Sequence, residues 1–255
     1  MRAIAVIPAR LGATRFPGKP LAPILGMPMV GHCYFRTRMC SELAATYVAT
    51  CDDAIAEYVR SIGGRVVMTS ATHTRAAMRT AEAMLLVERE IGAVDGVVMV
   101  QGDEPLMVPE MISATLRNLA EPQVQIVNIM SRLRTAEEFI DRNNVKVVVT
   151  SSMDALYMSR EAIPSPWRGT AHLPMYMQVG IIGFRRDALL RFNSMPESPL
   201  EQIESIDMNR VLEAGDRIRM VATELRTIGV DTPAELKAVE ELMQRDPLLA
   251  NYARR

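Results

Sequence analysis

The chain has 255 residues and a mass of 28.3 kDa, room for one large domain or two modest ones, and at 49% hydrophobic it is too apolar to be disordered. Lys plus Arg number 29 against 30 Asp plus Glu, a formal charge of -1. That balance excludes a polybasic coat for nucleic acid or anionic lipid and leaves room for a local cationic pocket.

The first half alternates β-rich runs with amphipathic stretches, the pattern of a parallel sheet with crossover helices. Ala3–Ile7, Thr46–Thr50, Arg65–Thr69 and Gly96–Val100 read as buried strands. Met29–Leu43, Asp53–Ile62, Ala76–Ile91 and Pro109–Leu119 read as helices, with Pro28 and Pro109 where a first turn tolerates proline. The second half is richer in strands: Val124–Leu133, Val145–Thr150, Ala155–Ser159 and Val179–Phe184. A helical stretch, Leu200–Ala214, leads through Gly215 to a strand at Arg217–Ala222, and Thr232-Pro233 opens a last helix ending near Arg245. The tail Asp246–Arg255 lacks apolar periodicity and reads as a disordered segment or an oligomer contact. No run approaches the roughly 18–20 apolar residues of a membrane helix, and the opening run Ala3–Ala9 is too short for a signal peptide. A soluble, cytoplasmic protein is expected. Cys33, Cys40 and Cys51 lack metal-ligand spacing and read as reduced thiols. Of the nineteen methionines, Met84, Met99, Met130 and Met158 fall in core-like runs and read as core filling. His32 lies in a helical run and reads as structural.

Parallel sheets place ligands at the carboxyl ends of their strands. After the first strand, residues 10–20 carry Arg10, Arg15, Lys19, Gly12, Gly18 and Thr14. Glycines let backbone N–H groups approach an anion, and three cations neutralise a triphosphate; a solvated basic loop is the plainer alternative. It is neither a phosphate-binding loop of the GxxxxGK type nor a dinucleotide loop, since five residues separate Gly12 from Gly18 and Pro20 follows the lysine. The fourth strand ends in Gln101-Gly102-Asp103-Glu104-Pro105, where Asp103 suits either a divalent cation or a turn. Asp231, ahead of Thr232-Pro233, suits either a metal or an N-cap.

The run Ile7-Pro8-Ala9-Arg10 through Pro17-Gly18-Lys19-Pro20-Leu21 resembles the start of the CMP-Kdo synthetases, the 3-deoxy-manno-octulosonate (Kdo) cytidylyltransferases. The resemblance continues through Val48-Ala49-Thr50, Gln101-Gly102-Asp103-Glu104-Pro105, Asn144-Val145-Lys146-Val147-Val148, Ala155-Leu156-Tyr157-Met158-Ser159-Arg160, Ser198-Pro199-Leu200-Glu201 and Val230-Asp231-Thr232-Pro233, in family order over nearly the whole chain. It implies an α/β fold: a three-layer, Rossmann-like, mainly parallel sheet of the nucleotide-diphospho-sugar transferase type with a small mixed-sheet elaboration. Residues 1–255 would form one such domain, with a smaller acceptor and dimerisation lobe at about 130–195. It also implies Mg²⁺-dependent transfer of CMP from CTP to an acidic sugar for lipopolysaccharide, with release of pyrophosphate, by a homodimer. Carried over, Lys19, Arg10 and Arg15 are the catalytic cations. Ala9, Leu11, Gly12, Arg75 and Gln101 complete the nucleotide site. Gln101, Arg160, Gln178 and Asp207 meet the acceptor, and Asp103 and Asp231 hold Mg²⁺.

Three stretches depart from the family. His73-Thr74-Arg75-Ala76-Ala77-Met78-Arg79 replaces a His-x-Ser-Gly-Thr-acid-Arg turn, keeping the histidine and the last arginine. Gln178-Val179-Gly180-Ile181-Ile182 replaces the usual histidine and tyrosine, and Asp207 stands where glutamate is usual. The last two fall where the family binds its sugar, so the acceptor is expected to be Kdo, an amino-substituted octulosonate or another small acid such as a phosphonate. Arg75, Arg79 and Arg160 would suit a more anionic acceptor. Trp167, Arg168 and His172 lie in a stretch, Pro164–Pro174, expected to cover the acceptor pocket. A non-catalytic relic and a UTP-using enzyme are the competing readings.

Overall fold

The computed structural model describes residues 1–12, 16–167, 169, 173–225 and 227–253. In chain order the elements are β1 (Ala3–Pro8), a short hairpin of β2 (Pro23–Ile24) and β3 (Met27–Pro28), α1 (Met29–Arg38), β4 (Ala45–Thr50), α2 (Asp53–Ser61) and β5 (Val66–Met68). Then come α3 (Ala76–Ile91), β6 (Gly96–Val100), α4 (Pro109–Leu119), β7 (Ile126–Arg132), α5 (Ala136–Ile140), β8 (Lys146–Val149) and β9 (Ala155–Ser159). The remainder is β10 (Tyr176–Arg185), α6 (Arg186–Ser194), α7 (Pro199–Glu204), α8 (Asn209–Glu213), β11 (Arg219–Thr223) and α9 (Pro233–Met243).

The main sheet runs β11-β7-β10-β6-β1-β4-β5, with β8 hydrogen-bonded to β10 and β9 to β8. β1 is parallel to β4 and β6, β4 to β5, and β7 to β11, whereas β10 is antiparallel to β6, β7 and β8. The fold is therefore a mixed, mostly parallel sheet covered by helices on both sides. Strand side chains alternate between faces. Ile4, Val6, Val97 and Met99 join α3, α6 and α8 in one core cluster. Ala3, Ile7, Val98 and Val100 join α1, α2 and α4 in the other, which is why these strands are apolar throughout rather than alternating. Met84, Met99, Met130 and Met158 are fully buried core residues, as their sequence context suggests. All three cysteines are free. No helix among the described residues is long and apolar enough to cross a membrane.

The structure corrects the sequence reading in four respects. The helix expected over Leu200–Ala214 is two short helices, broken where Ser205 enters the left-handed region at φ 54°. The helix expected to reach Leu43 stops at Arg38, and α5 and α6 were not anticipated between the later strands. The tail, read as a disordered segment or an oligomer contact, is ordered: it forms a short 3-10 helix over Pro247–Asn251 and bonds to α1 through Tyr252 and Asp246.

That docking uses a buried polar hub. The His32 Nε2 lies 2.9 Å from the Ile24 carbonyl, which only accepts, so Nε2 carries the proton and Nδ1 accepts from the Tyr252 hydroxyl at 2.9 Å. The Tyr252 oxygen in turn accepts from Arg36 Nε at 2.9 Å, and Arg36 Nη2 pairs with Asp246 at 2.6 Å. Arg36 also donates to the Met107 carbonyl, in the segment after Asp103. His32 is thus structural, and burial holds its pKa below the ordinary value. Tyr252→Phe strands one buried donor and one buried acceptor, and urea unfolding should show a loss of about 1–3 kcal/mol. Because the folded imidazole titrates below the unfolded value of 6.5, its contribution is complete above that pH. It is lost as the pH falls through 6.5 toward the lower folded value, so the wild-type urea midpoint should drop over that window and the drop should shrink in His32→Gln.

Candidate active site

β1 and β6 are parallel neighbours, so the loops leaving their carboxyl ends lie side by side. The β1 loop closes where Gly18, at φ 74°, donates its N–H to the Leu11 carbonyl at 3.1 Å. That turn launches a short 3-10 helix at Lys19, aiming its side chain back across the sheet edge. Lys19 Nζ donates to Asp103 Oδ2 at 2.7 Å and to Asp231 Oδ1 at 2.9 Å. Asp231 is brought there by the backbone: Val230 donates its N–H to the Asp103 carbonyl at 2.9 Å. The N-cap of α9 is Thr232, whose side chain accepts from the Glu235 N–H while the Glu235 carboxylate accepts from Asp231 and Thr232 N–H groups. The cap alternative for Asp231 therefore fails, and its carboxylate turns to Lys19.

Two cavities meet at Asp103. Pro8, Ala9, Arg10, Lys19, His73 and Gln101 line the first. Asp231, Glu104, Arg160, Gln178, Gly180 and Asp207 line the second. Arg10, Arg75, Gln101 and Asp103 border both. Of the sequence-identified residues, Leu11 and Gly12 border neither, and the Leu11 N–H is spent on Asp52 Oδ2 at 2.9 Å. Arg15, Arg168 and His172 lie outside the described residues, and Trp167 is almost wholly exposed. Arg79 is buried, with its guanidinium taken by Thr69 and Cys51. Arg160 is anchored by the Glu204 and Arg142 carbonyls. Arg75 is held more loosely, 3.7 Å from Glu197 and 4.0 Å from Glu201, whose own carboxylate is gripped bidentately by Arg210.

The sequence profile described as "Cytidylyltransferase" matches residues 4–218. A 3-deoxy-manno-octulosonate cytidylyltransferase of Geobacter metallireducens is 43% identical over 96% of this chain and 99% of its own length. One of Geobacter sulfurreducens is 43% identical over 96% of this chain and the whole of its own. The chain belongs to the 3-deoxy-manno-octulosonate cytidylyltransferase family. The solved structure of CMP:2-keto-3-deoxy-manno-octonic acid synthetase complexed with CTP superposes with a TM-score of 0.87 at 37% identity, covering 96% of this chain and 99% of that one. The protein is a cytidylyltransferase, a nucleotidyl-transferring enzyme that uses CTP.

In this cytidylyltransferase the electrostatics centre on Lys19. Burial lowers its pKa, the Asp103 and Asp231 carboxylates outweigh that, and the ammonium stays charged with its pKa raised. Asp207 is pushed up by burial against the pull of Arg75. Two further residues matter here: Glu104, inside the motif that ends the fourth strand of the sequence, and Asn128, a polar residue in the middle of the apolar run Ile126–Met130. Glu104 Oε1 accepts the Gly180 N–H at 2.7 Å while the Gly180 carbonyl accepts from Gln101 N–H at 2.7 Å. A Cβ on residue 180 would sit 2.9 Å from the Gln101 side chain, so only glycine permits this close approach. Burial, and then the Asp103 charge, push the Glu104 carboxyl up to about 8, so it is largely protonated at neutral pH. Its folded pKa lies above the unfolded 4.5, so wild-type stability from this group is lost as the pH rises from about 4.5 through about 8. Glu104→Gln, which cannot ionise, should gain stability relative to wild type across that window and show a constant difference above it, as read by urea unfolding at fixed pH steps.

Proposed function

We propose that this cytidylyltransferase transfers CMP from CTP to Kdo or a closely related acidic sugar, releases pyrophosphate and requires Mg²⁺, as a cytoplasmic homodimer. The observation that carries the reading is the Lys19 ammonium held between Asp103 and Asp231 at the junction of two cavities. The relatives' names, which specify 3-deoxy-manno-octulosonate, and the CTP in the solved relative support the choice of substrates.

In this reading CTP occupies the first cavity. Arg10 and Lys19, with Arg15 from the same loop, neutralise the triphosphate, and Ala9, Leu11 and Gly12 form the adjoining backbone. Arg75 and Gln101 stand where nucleotide and acceptor meet, and Arg160, Gln178 and Asp207 face the acceptor. The acceptor hydroxyl attacks the α-phosphorus in line, the bond to the β-phosphate oxygen breaks, and pyrophosphate departs. Such a transfer needs positioning and charge neutralisation more than a protein nucleophile, and Lys19 supplies a fixed cation where negative charge grows.

The donor set suits Mg²⁺. Asp103 and Asp231 are hard oxygen donors converging on one ammonium, and among the described residues no group of three or more His, Cys, Asp or Glu forms a closed cage. Two carboxylates completed by substrate phosphates is the usual way Mg²⁺ is held. Asp103 and Asp231 would hold the ion, which when bound neutralises phosphate charge. For the dimer, Tyr157 of β9 donates to Glu204 of α7, and these joined elements expose the apolar Leu156 and Ile203.

With Mg²⁺, each nucleoside triphosphate in turn, and Kdo, an amino-octulosonate or small phosphonates as acceptors, pyrophosphate should appear with CTP and Kdo and vanish on chelation. Release with a phosphonate alone would overturn the acceptor assignment, and release with UTP would overturn the nucleotide. Lys19→Ala should weaken CTP binding by tenfold or more, on the order of 1.4 kcal/mol.

A further inference from the structure

Gln178 borders the acceptor cavity, and an amide side chain there presents either a donor or an acceptor. The surrounding hydrogen bonds decide which. Asn128 on β7 is fully buried opposite Ile182, where the pairing of β7 with β10 shifts register between Gln178 and Ile182. One end of its amide lies 2.8 Å from the Val179 carbonyl, 3.0 Å from that of Ile181 and 3.0 Å from that of Ile129. Carbonyl oxygens only accept, so this end is the NH₂ group, and turning the amide over would set its oxygen against three others. The Asn128 Oδ1 therefore points the opposite way, to Gln178, and must receive a proton. Gln178 Nε2 supplies it at 2.7 Å. With one of its two N–H protons committed to Asn128, the flip of the Gln178 amide is fixed, and its Oε1 lies at the end turned away from Asn128.

We propose that Asn128 is a positioning residue that locks Gln178 so that it shows the acceptor cavity a carbonyl oxygen, and that Gln178 thereby selects a sugar acid carrying a hydroxyl donor at that point. The inference deepens the acceptor reading above and rests on it for the identity of the sugar. Gly180 is clamped from the other side by Glu104 and Gln101, so the backbone carrying Gln178 is fixed and the recognition is made by a preset group rather than an adaptable one.

Two measurements test it. In ¹⁵N-labelled protein one of the two Gln178 side-chain N–H protons should be protected from solvent exchange and show a nuclear Overhauser contact to Asn128. Asn128→Ala should remove the protection and raise the KM for Kdo about tenfold with the KM for CTP unchanged. Free exchange of both protons in the wild type would overturn the proposal whatever the enzyme turns over. In the second, kcat/KM is compared for Kdo and a series of analogues each lacking one hydroxyl. Wild type should lose about tenfold on one analogue, and Gln178→Met should lose about as much on Kdo itself while no longer telling the two apart. Equal use of every analogue by wild type, or unchanged discrimination by Gln178→Met, would overturn it. Absence of pyrophosphate from CTP and Kdo in the wild type would instead defeat the acceptor reading, and the exchange measurement would still decide the orientation of Gln178.

Discussion

One ammonium between two carboxylates organises this molecule. Lys19 lies 84 residues from Asp103 and 212 from Asp231, and its two hydrogen bonds draw together the loop after β1, the turn after β6 and the entry to α9. Two like charges brought so close repel unless a cation sits between them, and the half-buried setting strengthens both effects. Much of the neighbouring architecture serves this convergence. The Val230–Asp103 backbone bond sets the approach of the last helix, Thr232 takes over its cap, and Gly18 turns the chain so that Lys19 can point inward.

A second layer of order lies beneath the Lys19 cluster. The tail, through Tyr252 and Asp246, grips His32 and Arg36 on α1, and Arg36 reaches the Met107 carbonyl a few residues beyond Asp103. The His32 ring bonds the Ile24 carbonyl in the hairpin that follows Lys19. Thus the chain segments that follow Lys19, Asp103 and Asp231 share not only the half-buried Lys19 salt bridge but one buried polar hub, in which each donor has its acceptor.

The sequence made the strands and the ends of the parallel half legible because two-sided burial writes continuous apolar runs such as Ala3–Ile7 and Gly96–Val100. Lys19, Asp103 and Asp231 were legible as candidates because each follows a glycine within two residues in a loop between elements, although a turn or a helix cap would use the two aspartates as well. Their meeting was not legible, since local pattern carries no information about contacts hundreds of residues apart. Ser205 gives no breaker signal, so the interruption between α7 and α8 is decided by packing: Glu201 of one helix is locked to Arg210 of the next, and the intervening turn must accommodate both. Tyr252 reads as a lone aromatic in a polar tail until its partners on α1 are seen. Asn128 did leave a trace, an amide inside a buried strand, which demands hydrogen-bond partners wherever it occurs.

The clamp on Gly180 constrains how enzymes built this way diversify. Because its N–H and carbonyl are both fixed by the strand end that carries the carboxylate Asp103, and the Gln101 side chain fills the space a Cβ would need, β10 cannot slip by a residue without disturbing the Lys19–Asp103–Asp231 cluster. The second cavity can then be reshaped only by exchanging side chains on a frozen backbone, one position at a time. The Lys19 cluster and the second cavity are mechanically joined yet mutationally separable, so a lineage can reshape the cavity without disturbing the charges at its edge.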